Sequence, residues 1–456
     1  MAVTLSPATS VTEAVARFAS TADFSVAPDE LVTRATHAVI DTVGVTIAAR
    51  EEATFTILAD ALGHGSGAGE ATVLPTRTRA SAADAALLNG VAGHALDFDD
   101  VADAMTGHPS VVLVSTLLGL AEAQGSTGRE FLEGYAAGLE VACAVAAGLP
   151  VAPHYSRGWH ATSTIGVLGA AAGAGRLLHL DEVAMGHALG IAASLASGSR
   201  QNFGTMTKPL HAGHAARDAV LAAQLAARGF TADEHQLEGP MGYFQLYGVD
   251  PDPTAVGEML RHPEALLTGG LNVKKYPCCY FTHRMADAAV AIYKRGIRAS
   301  QVRSVAVNME PGGLQAIIHH LPTTGLQGKF SGEYVVAACL LDGAAGLSTF
   351  TDAAVARADA QDLLRCVRIE EAATPPFGAA TFDQAYATVE VELTDGVTLR
   401  ERCDIPRGDA RAPLSVAELE AKFRDCLAFS GAGWHTDALL TSLYALRSAP
   451  NVSLAG

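Results

Sequence analysis

Positive charge is what this sequence has least of: 31 lysines and arginines stand against 48 aspartates and glutamates over 456 residues, a formal net charge of -17. Nucleic acid and anionic membrane surfaces both need a basic footprint, so neither is an expected partner. Lysine is the rarest charged residue, present only as Lys208, Lys274, Lys275, Lys294, Lys329 and Lys422, so a place where lysines gather carries information. Aromatic residues make up only 6%, which is poor for a pocket that must stabilise carbocations. Seven scattered cysteines, an odd number with no C-x-x-C pair, fit neither a disulfide framework nor a zinc or iron–sulfur centre. No charged leader with an apolar segment precedes Ser6, and a reduced, cytoplasmic protein is expected. The longest apolar runs, such as 163-STIGVLGAAAGAGRLL-178, end at charges short of a bilayer span and read as buried helices packed through small residues.

What is present divides into two textures, as expected of a chain too long for one hydrophobic core. From residue 11 to about 271 the pattern is helical. Pro28 and Asp29 open a run to Ala49, Ser81 with Asp84 opens the next, and Thr127 with Glu130 forms a capping box. Further helices are expected over 110–124, 128–148, 162–179, 181–197 and 212–228. Beyond about 299, Val305, Val307 and Met309 alternate with polar or small residues, and 365-RCVRIEE-371 is β-rich. The stretch from Ala387 alternates up to Asp395-Gly396, a hairpin signal. Ser415 with Glu418 then returns the chain to helix. The simplest organisation is a mainly α protein, with residues 1–271 plus 406–456 as an all-helical domain and 272–405 as a smaller, inserted α+β lid.

Chemistry-bearing residues gather in five places: 93-GHALDFDDVADAMTGHP-109, 154-HYSRGWHATSTIG-166, 201-QNFGTMTKPLHAGHAAR-217, 273-VKKYPCCYFTHRMADAA-289 and 329-KFSGEYVVAACLLDG-343. Asp99, Asp100 and Asp103 match the D-D-x-x-D pattern of magnesium-dependent terpene cyclases, but no further oxygen ligands are found downstream. His211 and His214 lie three apart on a helix, without the glutamate of the zincin pattern, and His214 reads as a surface or partly buried contact. No metal and no cofactor is therefore expected. Cys278-Cys279 reads as close packing, not as a nucleophile or a strained vicinal disulfide. Pro209 suits a first helical turn, which sets Lys208 and His211 at a helix N-terminus, where free N–H groups and the macrodipole favour an anion. Together the five stretches offer Lys and His for carboxylates, and Asp and His for proton transfer near neutral pH.

The segments HALDFDD, GHPSVV, GWHATSTIG, FGTMTKPLHAGHAAR, KKYPCCYFTH and KFSGEYVVAACLLDG, in that order, resemble the MmgE/PrpD family. That family includes 2-methylcitrate dehydratase, cis-aconitate decarboxylase and iminodisuccinate epimerase, and the resemblance covers nearly the whole chain. It implies a large helical domain with a smaller α+β lid, usually in a homodimer. It implies pocket positions at Asp97, His108, His160, Lys208, His283 and Tyr334, with His211 and Lys275 as neighbours. Lys208, Lys275 and the helix beginning at Pro209 would hold substrate carboxylates. His108 and His160 would be acid and base, Asp97 would orient or tune one of them, and Tyr334 would come from the lid for closure or proton delivery.

Removing a proton α to a carboxylate creates an enediolate-like charge, which fixed donors stabilise best when water is excluded. The expected function is a cofactor-independent lyase that dehydrates or decarboxylates a small, anionic di- or tricarboxylate. An epimerase of the iminodisuccinate kind is the alternative, ahead of a terpene cyclase or a non-catalytic binding protein. The chain departs from the decarboxylase-like pattern at Val101, where a threonine is usual, near Cys279, where a histidine is usual, and in a longer loop to His108.

Overall fold

Small residues decide how closely the helices of this protein approach one another. In the computed structural model, which describes residues 9–63, 69–378 and 385–454, helices Ala82–Ala95 and Thr207–Ala226 cross where Gly90 meets Gly213. A Cβ on Gly213 would lie 2.3 Å from the Leu87 carbonyl oxygen, so the close approach depends on its absence. The helices run antiparallel, which sets the C-terminal end of the first beside the N-terminal end of the second. The residues before Ser6, on which the leader reading rests, lie outside the described range.

The caps read from the sequence are in place: Ser81 accepts from the Asp84 N–H, and both Thr127 with Glu130 and Ser415 with Glu418 form capping boxes. Two helix boundaries differ from expectation. The expected 212–228 helix begins five residues earlier, at Thr207, with Lys208 and Pro209 in its first turn. The expected 162–179 helix is broken at Ile165 into Ala161–Thr164 and Gly166–Leu177. Helix Gly128–Gly148 is long and apolar enough to cross a bilayer by length and composition, but nearly all of it is buried among its neighbours.

The lid carries a four-stranded sheet. Strand Val302–Met309 runs parallel to Val367–Glu371 on one side and antiparallel to Ala387–Leu393 on the other, with Thr398–Cys403 beyond. The alternation read from the sequence becomes pairing: Val305 opposes Val391 and Val307 opposes Val389, all four buried. Gly396 takes a φ of 88° in the hairpin turn, where a side chain would be strained. The parallel pair needs a crossover, which includes helices Gly332–Asp342 and Ala358–Leu364.

Two hydrophobic clusters result. One joins the helices of the first 266 residues with Leu419, Phe423, Leu427 and Leu440 from the C-terminal helices. The other holds lid residues from Tyr276 to Leu393, together with Tyr155 and Phe203 from the helical side. Helix Val416–Ser430 packs on Asp29–Ala48, where Lys422 lies 2.6 Å from Asp41.

Candidate active site

Helix Ala82–Ala95 ends at Leu96, and Asp97 follows in the left-handed region at φ 50°, uncommon for a residue with a side chain. Three buried lysines hold the turn. Lys329 donates to the Leu96 carbonyl at 2.7 Å, Lys274 to the Asp97 carbonyl at 2.8 Å and Lys422 to the Phe98 carbonyl at 2.8 Å. The Leu96 carbonyl closes the helix, lacks an intrahelical partner and carries the negative end of its dipole, so an ammonium group suits it; the Asp97 and Phe98 carbonyls, just beyond the helix, are satisfied in the same way. With Lys208, these are four of the six lysines, none more than 7% exposed.

The Asp97 side chain lies between Lys208, which donates to Oδ1, and Lys274, 3.1 Å from Oδ2. Burial pushes its pKa up, but the two ammonium groups outweigh burial and hold it well below the usual carboxylate range. Asp99 lies between two histidines, 2.8 Å from His94 Nδ1 and 3.3 Å from His108 Nδ1. The His94 ring centroid is 4.5 Å from that of His108 and 5.7 Å from that of His160, and His160 Nδ1 is 3.1 Å from His211 Nδ1. Burial is the largest cause lowering all four: His94 to about 3, His211 to about 4, and His108 and His160 in the same direction. They are therefore neutral near pH 7. Asp99 hydrogen-bonds His94 Nδ1, while the nearby His108 Nδ1 finds no hydrogen-bond partner among the described residues.

Some of these groups border a cavity of about 290 Å³ between the helical part and the lid. Asp97, His108, His160, Lys208 and Lys274 reach its wall, as do Val101, Cys279 and Arg284. The Phe203 and Phe330 rings, also on the wall, have centroids 5.3 Å and 4.8 Å from the Lys208 ammonium. Burial pushes the Cys278 and Cys279 thiols up to about 12 and about 11, which keeps them protonated and poor nucleophiles.

The acidic D-D-x-x-D residues diverge. Asp99 faces histidines, Asp100 accepts from the Ser110 backbone and hydroxyl, and Asp103 accepts from Asn272 Nδ2 at 2.7 Å. Burial raises Asp100 to about 8, so it is held mainly as the neutral acid. His94, Asp97, Asp99 and His108 bring possible ligand atoms within 4.8 Å of one another. A cation among them would face the Lys208 and Lys274 ammonium groups that already neutralise Asp97.

Of the residues expected in the site, Asp97, His108, His160 and Lys208 meet at this one cavity. His211 stands behind His160. His283 is fully buried against the Tyr276 and Tyr280 rings, with Nε2 3.4 Å from the Cys278 carbonyl oxygen, and does not reach the wall. Four expectations are corrected, that of His283 as a pocket residue among them. Lys275 is 2.8 Å from Asp287 on the exposed side; neighbours in an extended chain face opposite ways, so only Lys274 points inward. The Tyr334 hydroxyl donates to the Thr349 carbonyl at 2.6 Å within the lid and stays off the cavity wall. Asp97, expected to orient a histidine, is engaged by lysines, while Asp99 makes the histidine contacts. The sequence reading gave no site role to His94, Lys329 or Arg284 and weighed Asp99 only as part of a magnesium pattern; the scarcity of lysine was the signal for Lys274 and Lys329.

Residues 13–255 match the family model of the MmgE/PrpD N-terminal domain, and residues 276–439 that of the MmgE/PrpD C-terminal domain. The chain is 31% identical over 350 residues to the cis-aconitate decarboxylase of Homo sapiens, across 75% of this chain and 71% of that protein. It is 32% identical over 349 residues to the cis-aconitate decarboxylase of Mus musculus, across 75% and 70%. With the cis-aconitate decarboxylase of Aspergillus terreus it shares 24% identity over 376 residues, across 75% and 73%. The chain therefore belongs to the MmgE/PrpD family and is an enzyme of the lyase type.

Proposed function

We propose that the protein is a cofactor-independent lyase that dehydrates or decarboxylates a small di- or tricarboxylic acid by moving a proton beside a carboxylate. One observation carries this: two neutral histidines, His108 and His160, share a single small cavity with Lys208 and Lys274. Its volume of about 290 Å³ falls at the low end for ligand sites, which suits a small acid.

A substrate carboxylate set against Lys208 and Lys274 places its α-carbon among the histidines. His108 takes the C–H proton, and the electron pair passes into an enediolate whose charge the two ammonium groups offset. In dehydration the β C–O bond then breaks, and the hydroxyl leaves as water with the proton that His108 now carries. In decarboxylation no C–H proton is removed: the C–C bond to a carboxylate breaks, CO₂ departs, and the carbanion carbon takes a proton from water relayed through His108. Val101 and Cys279, where the chain departs from the decarboxylase-like pattern, both line the cavity and support an acid other than cis-aconitate. A homodimer in the cytoplasm is part of the same proposal.

Incubation with a panel of small di- and tricarboxylates in D₂O tests it. A new alkene absorbance marks dehydration, and CO₂ release marks decarboxylation. Deuterium uptake with a change in optical rotation marks epimerisation instead. His108→Ala, with the fold preserved, loses turnover; retained turnover overturns the acid–base role.

A further inference from the structure

Among the described residues, Arg284 is the one cation on the cavity wall with no carboxylate at ion-pair distance, since Lys208 and Lys274 both face Asp97. It is the second residue of helix His283–Tyr293 and is 6% exposed. The guanidinium is fixed by the protein: Nε donates to the Asp404 carbonyl at 3.0 Å, and the Tyr280 ring centroid lies 5.8 Å from its central carbon. A guanidinium carries five N–H donors in a planar fork. Only that on Nε finds an acceptor among the described residues, and a buried charge with idle donors is unfavourable unless another group completes its shell. Asp103 and Glu310 share this part of the wall but are engaged elsewhere, Asp103 by Asn272 at 2.7 Å and Glu310 by the Tyr386 N–H at 3.4 Å. Burial moves both carboxyls up, toward the neutral form that tolerates an incoming anion.

We propose that Arg284 is a specificity-determining residue that holds a second, remote carboxylate of the substrate in a bidentate pair while the reacting end lies at Lys208 and Lys274. The reacting end rests on the lyase reading; the remote end rests on Arg284 itself. The planar fork matches a carboxylate as a point charge does not. Two carboxylate stations on different parts of the fold select for acids whose carboxylates are far enough apart to reach both. Such a substrate bridges helical domain and lid, because Lys208 belongs to the first and Arg284 to the second.

Calorimetry of the full chain with glutarate and with glutaramate, in which one carboxylate becomes a carboxamide, tests this. The wild type is expected to prefer glutarate by about 10-fold or more, as for hydrogen bonds to charged groups. Arg284→Gln should weaken glutarate about 10- to 100-fold and glutaramate by less than about twofold, while Arg284→Lys recovers only part of the loss. Equal binding of both probes by the wild type overturns the subsite without needing any variant. Equal weakening of both in Arg284→Gln overturns it as well. No turnover of any acid in the panel, with the glutarate preference intact, overturns the lyase reading and leaves the subsite standing.

Discussion

Replacing Lys274 with methionine preserves side-chain length and removes a fully buried ammonium that lies 3.1 Å from Asp97 Oδ2 and 2.8 Å from the Asp97 carbonyl oxygen. Asp97 then keeps Lys208 alone, and its carbonyl loses a donor. Removing one partner of a buried pair typically costs about 3–5 kcal/mol, because the surviving charge stays out of water. The same substitution at Lys275 removes an ion pair whose lysine is 37% exposed, and such pairs contribute about 0–1 kcal/mol. Two adjacent and chemically identical residues thus differ several-fold in what they contribute. Lys274→Met should melt several degrees lower by circular dichroism and lose turnover by about 10²-fold, the usual loss when a fixed donor to developing charge is removed. Lys275→Met should match the wild type in both assays. Equal damage in the two variants would refute the inward placement of Lys274, as would wild-type turnover and melting in Lys274→Met.

Three further outcomes are expected. Burial, with Lys274 and Lys208, holds His108 below its ordinary 6.5 despite Asp99, so kcat/KM should fall only as pH drops through that lowered value; a limb centred above 6.5 refutes His108 as the base. Gly213→Ala places a methyl group 2.3 Å from the Leu87 carbonyl oxygen and should lose about 1–3 kcal/mol in chemical denaturation; an unchanged midpoint refutes the close crossing. Asp100 keeps its proton in the folded state up to about 8, whereas the unfolded chain loses it near 3.8, so its contribution to stability declines as pH rises through that window. Asparagine has no such slope, so the advantage of Asp100→Asn over the wild type should grow with pH across the window, and a shrinking advantage is the contrary result.

Much of the fold was legible because its signals are local. Ser81, Thr127 and Ser415 cap helices through their own side chains, and the alternation at Val305 and Val307 is the pairing register itself. Helix Gly332–Asp342 is buried nearly all round, so no apolar stripe marks which way Tyr334 points. Within the site, His108, His160 and Lys208 stand in ordered motifs and line one cavity. The choice between Lys274 and Lys275 depends on the phase of an extended segment, which composition does not encode. Asp97 takes a left-handed conformation in a turn with no glycine to announce it, so the sequence does not show which of Asp97 and Asp99 faces the lysines and which the histidines. Arg284 went unremarked beside His283 because its free donors exist only once Asp404 fixes one edge of the guanidinium.

The carbonyls of Leu96, Asp97 and Phe98 are held by lysines 233, 177 and 324 positions further along the chain. Contacts across such separations form slowly, because long loops must close before they are rewarded. During synthesis the turn leaves the ribosome long before Lys422, which lies in one of the last helices. The helix that carries Lys422 follows every residue of the cavity wall in the chain, so the turn that presents Asp97 and Asp99 is fully held only once that helix has docked.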